Sequence, residues 1–242
     1  MLYSFEGQDM NEKVSTGTST RYSTMSACLV ILFLNGCAVM NTSVMETAEP
    51  LNPGAIRIGA ELFIGPELGN DMFFEDTYQD SVLQMPATGT SIGLGVTKNL
   101  ELCGKLWLSN LSAGIRGQAK YRLPSPIAAI QWAILPGFNH AGSFEVGGKS
   151  EYAITGADIP IVVSWGSESR ALYMAARYSI DTLSRDFGNE TVMLKRVGIL
   201  AGFSLRIWKV YIRPEIGYEN VIGYNGIRTG GLGFGLEDMQ LF

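Results

Sequence analysis

The sequence predicts an all-β protein, an antiparallel up-and-down transmembrane β-barrel of about ten strands, with eight as the lower count its pattern allows. Three observations predict it. Apolar residues alternate at period two from Gly54 onward, the connections between alternating segments are by turns short and long, and a short apolar block that reads as an export signal stands ahead of them. Composition agrees. The chain has 242 residues, 29 of them glycine, only 17% charged residues and a net charge of -5. It carries no dense Lys/Arg patch of the kind that holds nucleic-acid phosphates, so nucleic acid is excluded as a partner.

The N-terminal elements come first. Residues 1–24 are polar, rich in Ser and Thr, and show no apolar period that could pack a core. Ala27 to Leu34 then form an apolar block of secretory length, well short of the roughly 18 residues a spanning helix requires. We divide the chain into a leader and signal peptide (1–36), a mature N-terminal linker (37–53) and the barrel (54–242). The end of the block, Leu34-Asn35-Gly36-Cys37, resembles the lipobox of bacterial lipoproteins. That resemblance implies lipidation of Cys37 as the mature N-terminus, and Ala38 in place of Asp at the next position implies onward export to the outer membrane. The competing reading is cleavage by the ordinary signal peptidase, with Cys37 chemically idle.

The strands follow one rule. Ile56, Ile58, Ala60, Leu62 and Ile64 alternate with Arg57, Gly59, Glu61 and Phe63. Ile92, Leu94 and Val96 repeat the pattern, as do Leu100 to Leu108, Ala113 to Tyr121, Leu172 to Tyr178, Val197 to Leu205, Val210 to Tyr218 and Leu232 to Leu236. Residues 127–135 and 155–165 are apolar on both faces or interrupted by Pro160, yet their Ile, Val and Trp content favours strand. Short turns are expected at 98–99, 123–126, 166–169 and 207–209, and long loops at 65–88, 137–153, 181–191 and 219–226, with a short link at 109–112.

A closed barrel satisfies every backbone N–H and C=O inside a membrane and leaves no sheet edge, so lipid selects the apolar face and the charged face turns inward. The pattern over 54–242, the export signal, frequent glycine on the polar face and the terminal Phe242 together resemble bacterial outer-membrane barrels. The resemblance implies location in the outer membrane, contact with outer-membrane lipid, and recognition of the C-terminal strand ending at Phe242 by the barrel insertion machinery. A periplasm-facing lipoprotein with a soluble β-sandwich or lipid-binding barrel is the alternative. It reverses the exposure: its Leu102, Leu106, Ile199 and Phe203 would be inside and its Arg116 and Arg213 outside.

Chemistry is sparse. The expected lumen carries Arg57, Lys105, Arg116, Lys120, Arg122, Arg177, Arg206 and Arg213 against Glu61, Glu101 and Glu215. In so narrow an interior these charges should pair as a structural network; a narrow pore with a basic surplus is the functional counterpart. Cys28, Cys37 and Cys103 have no metal-ligand spacing with one another or with His140, and no metal or other cofactor is expected. Cys103 reads as a small lumen filler. The acidic loop with Glu67, Asp71, Glu75, Asp76 and Asp80 matches no calcium-loop spacing. His140, Ser143 and Glu145 are the groups of a nucleophilic hydrolase, and some outer-membrane barrels deacylate lipid A with such a set. Here the His and Ser lie three apart in an expected loop, so we expect no enzyme.

Overall fold

From Ala55 on, the alternation becomes extended chain, because a β-strand turns successive side chains to opposite faces. The computed structural model describes residues 38–68, 84–109, 112–143, 152–167, 169–185, 189–224 and 226–240. They form β1 (Ala55–Pro66), β2 (Gln84–Thr97), β3 (Leu100–Ser109), β4 (Ser112–Leu123), β5 (Ile130–Ile134), β6 (Gly137–Ser143), β7 (Tyr152–Ser167), β8 (Arg170–Arg185), β9 (Glu190–Ile207), β10 (Val210–Val221) and β11 (Ile227–Gln240).

Except for β5 and β6, sequence neighbours pair antiparallel, and β11 returns to β1 from Ala55↔Gln240 to Ile64↔Gly230, so the sheet closes on itself. The eleven segments occupy ten positions. β5 and β6 share one, both lying between β4 and β7 in unbroken register: Ile134↔Ile161 and Gly137↔Asp158 on one side, Tyr121↔Ile134 and Gln118↔Gly137 on the other. The interruption has a covalent cause. Leu135 N–H donates to Pro160 O at 2.8 Å, but Pro160 has no N–H to return, and Pro136 likewise offers only its carbonyl, to Ala119 N–H at 3.0 Å.

The strand ends joined by short turns gather at one end, and the strand ends flanking the longer connections and the 109–112 link gather at the other. Several expected loops prove shorter than the sequence pattern indicated. β6 occupies Gly137–Ser143, inside the expected 137–153 loop; β8 runs on to Arg185 and β10 to Val221. Main-chain pairing continues past the point where apolar alternation fades, because ladder hydrogen bonds need no particular side chain.

Exposure follows the alternation. Leu106 (56% exposed) and Ile199 (63%) face outward, with Leu102 and Phe203, while Arg116 (1%) and Arg213 (2%) are enclosed. The sandwich alternative, with its apolar face inward, is thereby overturned. At the short-turn end Tyr121, Trp132, Trp165, Phe203 and Trp208 stand outward as an aromatic group. Trp208 takes a left-handed backbone (φ 58°) in the β9–β10 turn. The terminal Phe242, Cys37 and the acidic residues 71–80 lie outside the described residues.

Candidate functional site

The stretch 38–52, expected as a linker, runs through the barrel interior as a strap, and Ala38 to Ala48 are all buried. It starts at the long-loop end. There Val39 bridges Glu67, Met40 N–H donates to Pro66 O at 3.1 Å, and Leu68 N–H donates to Ala38 O at 3.0 Å. Trp107 on β3 donates its indole N–H to Val39 O at 2.8 Å. Around these contacts an apolar plug closes this end of the lumen, with Met40, Phe63, Leu68, Trp107, Ile154, Leu183 and Leu194 packed together.

Below the plug the strap is held by charge. Asn41 Nδ2 donates to Glu61 at 3.2 Å, and Lys105 joins Glu61 at 2.7 Å and Val44 O at 3.1 Å. Glu215 on β10 accepts the N–H groups of Val44 (3.1 Å) and Met45 (2.7 Å), while Arg213 donates to Met45 O at 3.3 Å. Met45 has a left-handed backbone (φ 45°), a strained state for an L-residue that persists where neighbours grip it from both sides. The strap's own Glu46 then meets Arg57 at 2.6 Å and Lys120 at 2.7 Å; both cations also contact Glu101, Lys120 at 2.9 Å. Farther down, Ala48 N–H donates to Ser164 Oγ (3.2 Å) and Leu51 N–H to Glu101 (3.1 Å). At the short-turn end Gly54 N–H reaches Gly95 O at 2.8 Å, and the chain turns back into β1.

Inward glycines make this room. A Cβ on Gly231 would lie 2.3 Å from Met45 Cε, and one on Gly114 would lie 2.1 Å from the Trp107 ring. Glycine on the polar face therefore marks where the strap and the large lumen rings sit.

The remaining charges form a second network along β4 and β7 to β10. Arg116 pairs with Asp158 at 2.8 Å, Arg177 with Asp158 at 3.8 Å and with Glu219, and Arg196 with Glu219 and with Asp181 at 2.8 Å. Arg213 also pairs with Glu237 at 2.7 Å, and Arg206, only half enclosed near the short-turn end, with Asp238 at 2.5 Å. Beside Arg116, both ends of the Gln118 amide, Asn139 Oδ1 and Ser179 Oγ have no protein partner among the described residues, which makes this wall the side where internal water is expected.

The structure thus places Arg57, Glu61, Glu101, Lys105, Lys120, Arg213 and Glu215 against the strap, and Arg116 and Arg177 in the second network. It also changes the charge balance. Among the described residues seven buried cations (Arg57, Lys105, Arg116, Lys120, Arg177, Arg196, Arg213) face nine buried carboxylates (Glu46, Glu61, Glu67, Glu101, Asp158, Asp181, Glu215, Glu219, Glu237), so the expected basic surplus is absent. Sequence reasoning missed Glu46 because it lies ahead of the alternating region. It missed Asp181 and Glu219 because both fell in expected loops, although each keeps the inward phase of its strand.

Two further constellations come apart or are already filled. His140 and Ser143 are on β6, not in a loop. His140 is exposed and bonds Thr155 Oγ1 at 2.8 Å, whereas Ser143, on the opposite phase, bonds the Tyr152 backbone N–H at 2.8 Å. Glu46, Glu101 and the buried free Cys103 bring ligand atoms within 4.8 Å of one another, but Arg57 and Lys120 already neutralise both carboxylates.

No family description and no curated protein matches this chain. Solved structures similar to it include Neisserial surface protein A (14% identity, TM-score 0.36, covering 76% of this chain and 94% of that one). They also include the translocator domain of the autotransporter NalP from Neisseria meningitidis (10%, TM-score 0.40, 90% and 95%) and Ail, the attachment invasion locus protein of Yersinia pestis (13%, TM-score 0.31, 76% and 99%).

Proposed function

We propose that this chain is a bacterial outer-membrane β-barrel with a structural role in the envelope, its lumen sealed against free diffusion by its own N-terminal strap. One observation carries the reading. The outward face of the strands is an apolar belt whose large side chains are widely exposed, while the charges are enclosed and paired. In water such a surface would be an aggregation liability, whereas hydrocarbon is the solvent that suits it. The belt also has a suitable height. On β1 the outward residues from Ile56 to Ile64 are all apolar; at roughly 3.3 Å per residue and a tilt of about 40° they climb about 20 Å, close to the band of about 25 Å typical of such barrels. The aromatic group at the short-turn end stands where amphipathic rings favour the lipid headgroup boundary.

A sealed lumen argues against a constitutive pore. Among the described residues the apolar plug closes the long-loop end and the strap fills the lumen below it, so passive transport would require the strap to move. With His140 and Ser143 on opposite faces of β6, these two residues do not act together as base and nucleophile.

The test is the mobility of membrane-extracted protein on a detergent gel, boiled and unboiled, followed by reconstitution in planar bilayers. A faster unboiled band with no sustained current is the expected result. A single band, with the protein released by carbonate, refutes the membrane reading; a stable open-channel current refutes the seal.

A further inference from the structure

Residues 38–54 run through the lumen in one direction. Ala38 to Met40 sit at the level where β1 ends, fixed to Pro66, Glu67 and Leu68. Asn52 and Gly54 sit at the level where β1 begins and β2 ends: Gly54 N–H is bonded to Gly95 O, and Ala55 N–H to Asn52 O at 2.9 Å. Between those points Glu61, Glu215, Glu46 with its two cations, and Ser164 hold the strap at successive depths. The strap therefore runs down the lumen from the long-loop end to the short-turn end, and β1 climbs back up.

We infer that the lumen carries this chain's own strap across the membrane, so that Ala38 opens onto the long-loop face while β1 starts from the opposite face. This rests on the membrane reading proposed above. Covalent continuity supplies the last step, since consecutive Cα atoms are about 3.8 Å apart and Ala38 is already at the end of the lumen. A passage built for this purpose should match its occupant chemically, and it does. Main-chain N–H groups of the strap meet glutamates, main-chain carbonyls meet Lys105, Lys120 and Arg213, and the one buried strap carboxylate meets Arg57 and Lys120. Gly231 and Gly233 open the wall where Met45 passes. A segment joined ahead of Ala38 would then be displayed on that side.

The test uses the full-length protein in intact cells. A short epitope is inserted between Cys37 and Ala38, with the same epitope placed in the 144–151 connection as a marker of the long-loop face and at the 208–209 turn as a marker of the other. Antibody should reach the N-terminal epitope on intact cells as readily as it reaches the 144–151 marker, while the 208–209 marker is seen only after permeabilisation. If the N-terminal epitope behaves like the 208–209 marker while the 144–151 marker is reached from outside, the inference fails and the membrane reading stands. If the protein is missing from the outer-membrane fraction, both fail. A second measurement covers the event that the insertion itself disturbs folding. In Val39→Cys/Glu67→Cys the two replaced residues are bridge partners, within the Cα separation that a disulfide spans. Oxidation should cross-link them in folded, heat-modifiable barrel; a folded barrel that retains both thiols under oxidation overturns the inference.

Discussion

At Glu46 one buried carboxylate meets Arg57 and Lys120 closely, with Arg213 at 3.9 Å. Removing a single partner from a buried ion pair costs roughly 3–5 kcal/mol because it leaves charge uncompensated. Glu46→Ala should therefore lower barrel stability by about 3 kcal/mol, read from the urea midpoint at which the fast-migrating gel band disappears. Glu101 still faces both cations, so the loss should sit at the low end of that range. At Gly114 the argument is steric. The Trp107 ring fills the place a Cβ would take, so Gly114→Ala must push the indole away from Val39 O. Overpacking of this kind costs roughly 1–3 kcal/mol, and the displaced indole should shift the tryptophan emission toward the red. An unchanged emission spectrum with unchanged stability would contradict the placement of Trp107.

β3 shows how far a strand can be read from its letters. Its outward residues Leu102, Leu106 and Leu108 and its inward Glu101, Cys103, Lys105 and Trp107 alternate without exception, and the structure keeps that phase. Replacing Leu106 by Arg puts a charge in the outward belt and should cost roughly 2–4 kcal/mol at mid-depth in a lipid bilayer; refolding yields in lipid vesicles would measure it. The strap was not legible in the same way. Residues 38–52 show neither period two nor 3.6, because a segment enclosed on all sides is selected by the walls around it rather than by one face. The walls themselves gave half the signal: their charges were visible as an inward set, but their partner was not. The extents of β6, β8 and β10 were misjudged for a related reason, since the periodic signal fades near the long-loop end where inward residues such as Ile154 and Leu183 turn apolar to form the plug. Deleting 38–52 should leave an aqueous lumen lined by the freed charges. The shortened protein should conduct in planar bilayers where the full chain does not, and should lose stability as well.

For the molecule as a whole, the ring of strands and the segment inside it are one chain, and the last strand in sequence is a wall of the space residues 38–52 occupy. Met45 is gripped by Glu215 and Arg213 on β10, and Arg213 in turn is paired with Glu237 on β11. None of these partners exists for the strap until most of the chain has been assembled. Such contacts join residues far apart in sequence and are slow to form. A finished ring would also have to admit a strap already tethered to β1 at its lower end. We expect the strap to lie across the growing sheet before β11 meets β1, so that closure proceeds around it as a clasp closes on a cord. Anything bulky attached ahead of Ala38 need never pass through a completed ring, so the size of that cargo is limited by when the ring closes and not by how wide it is.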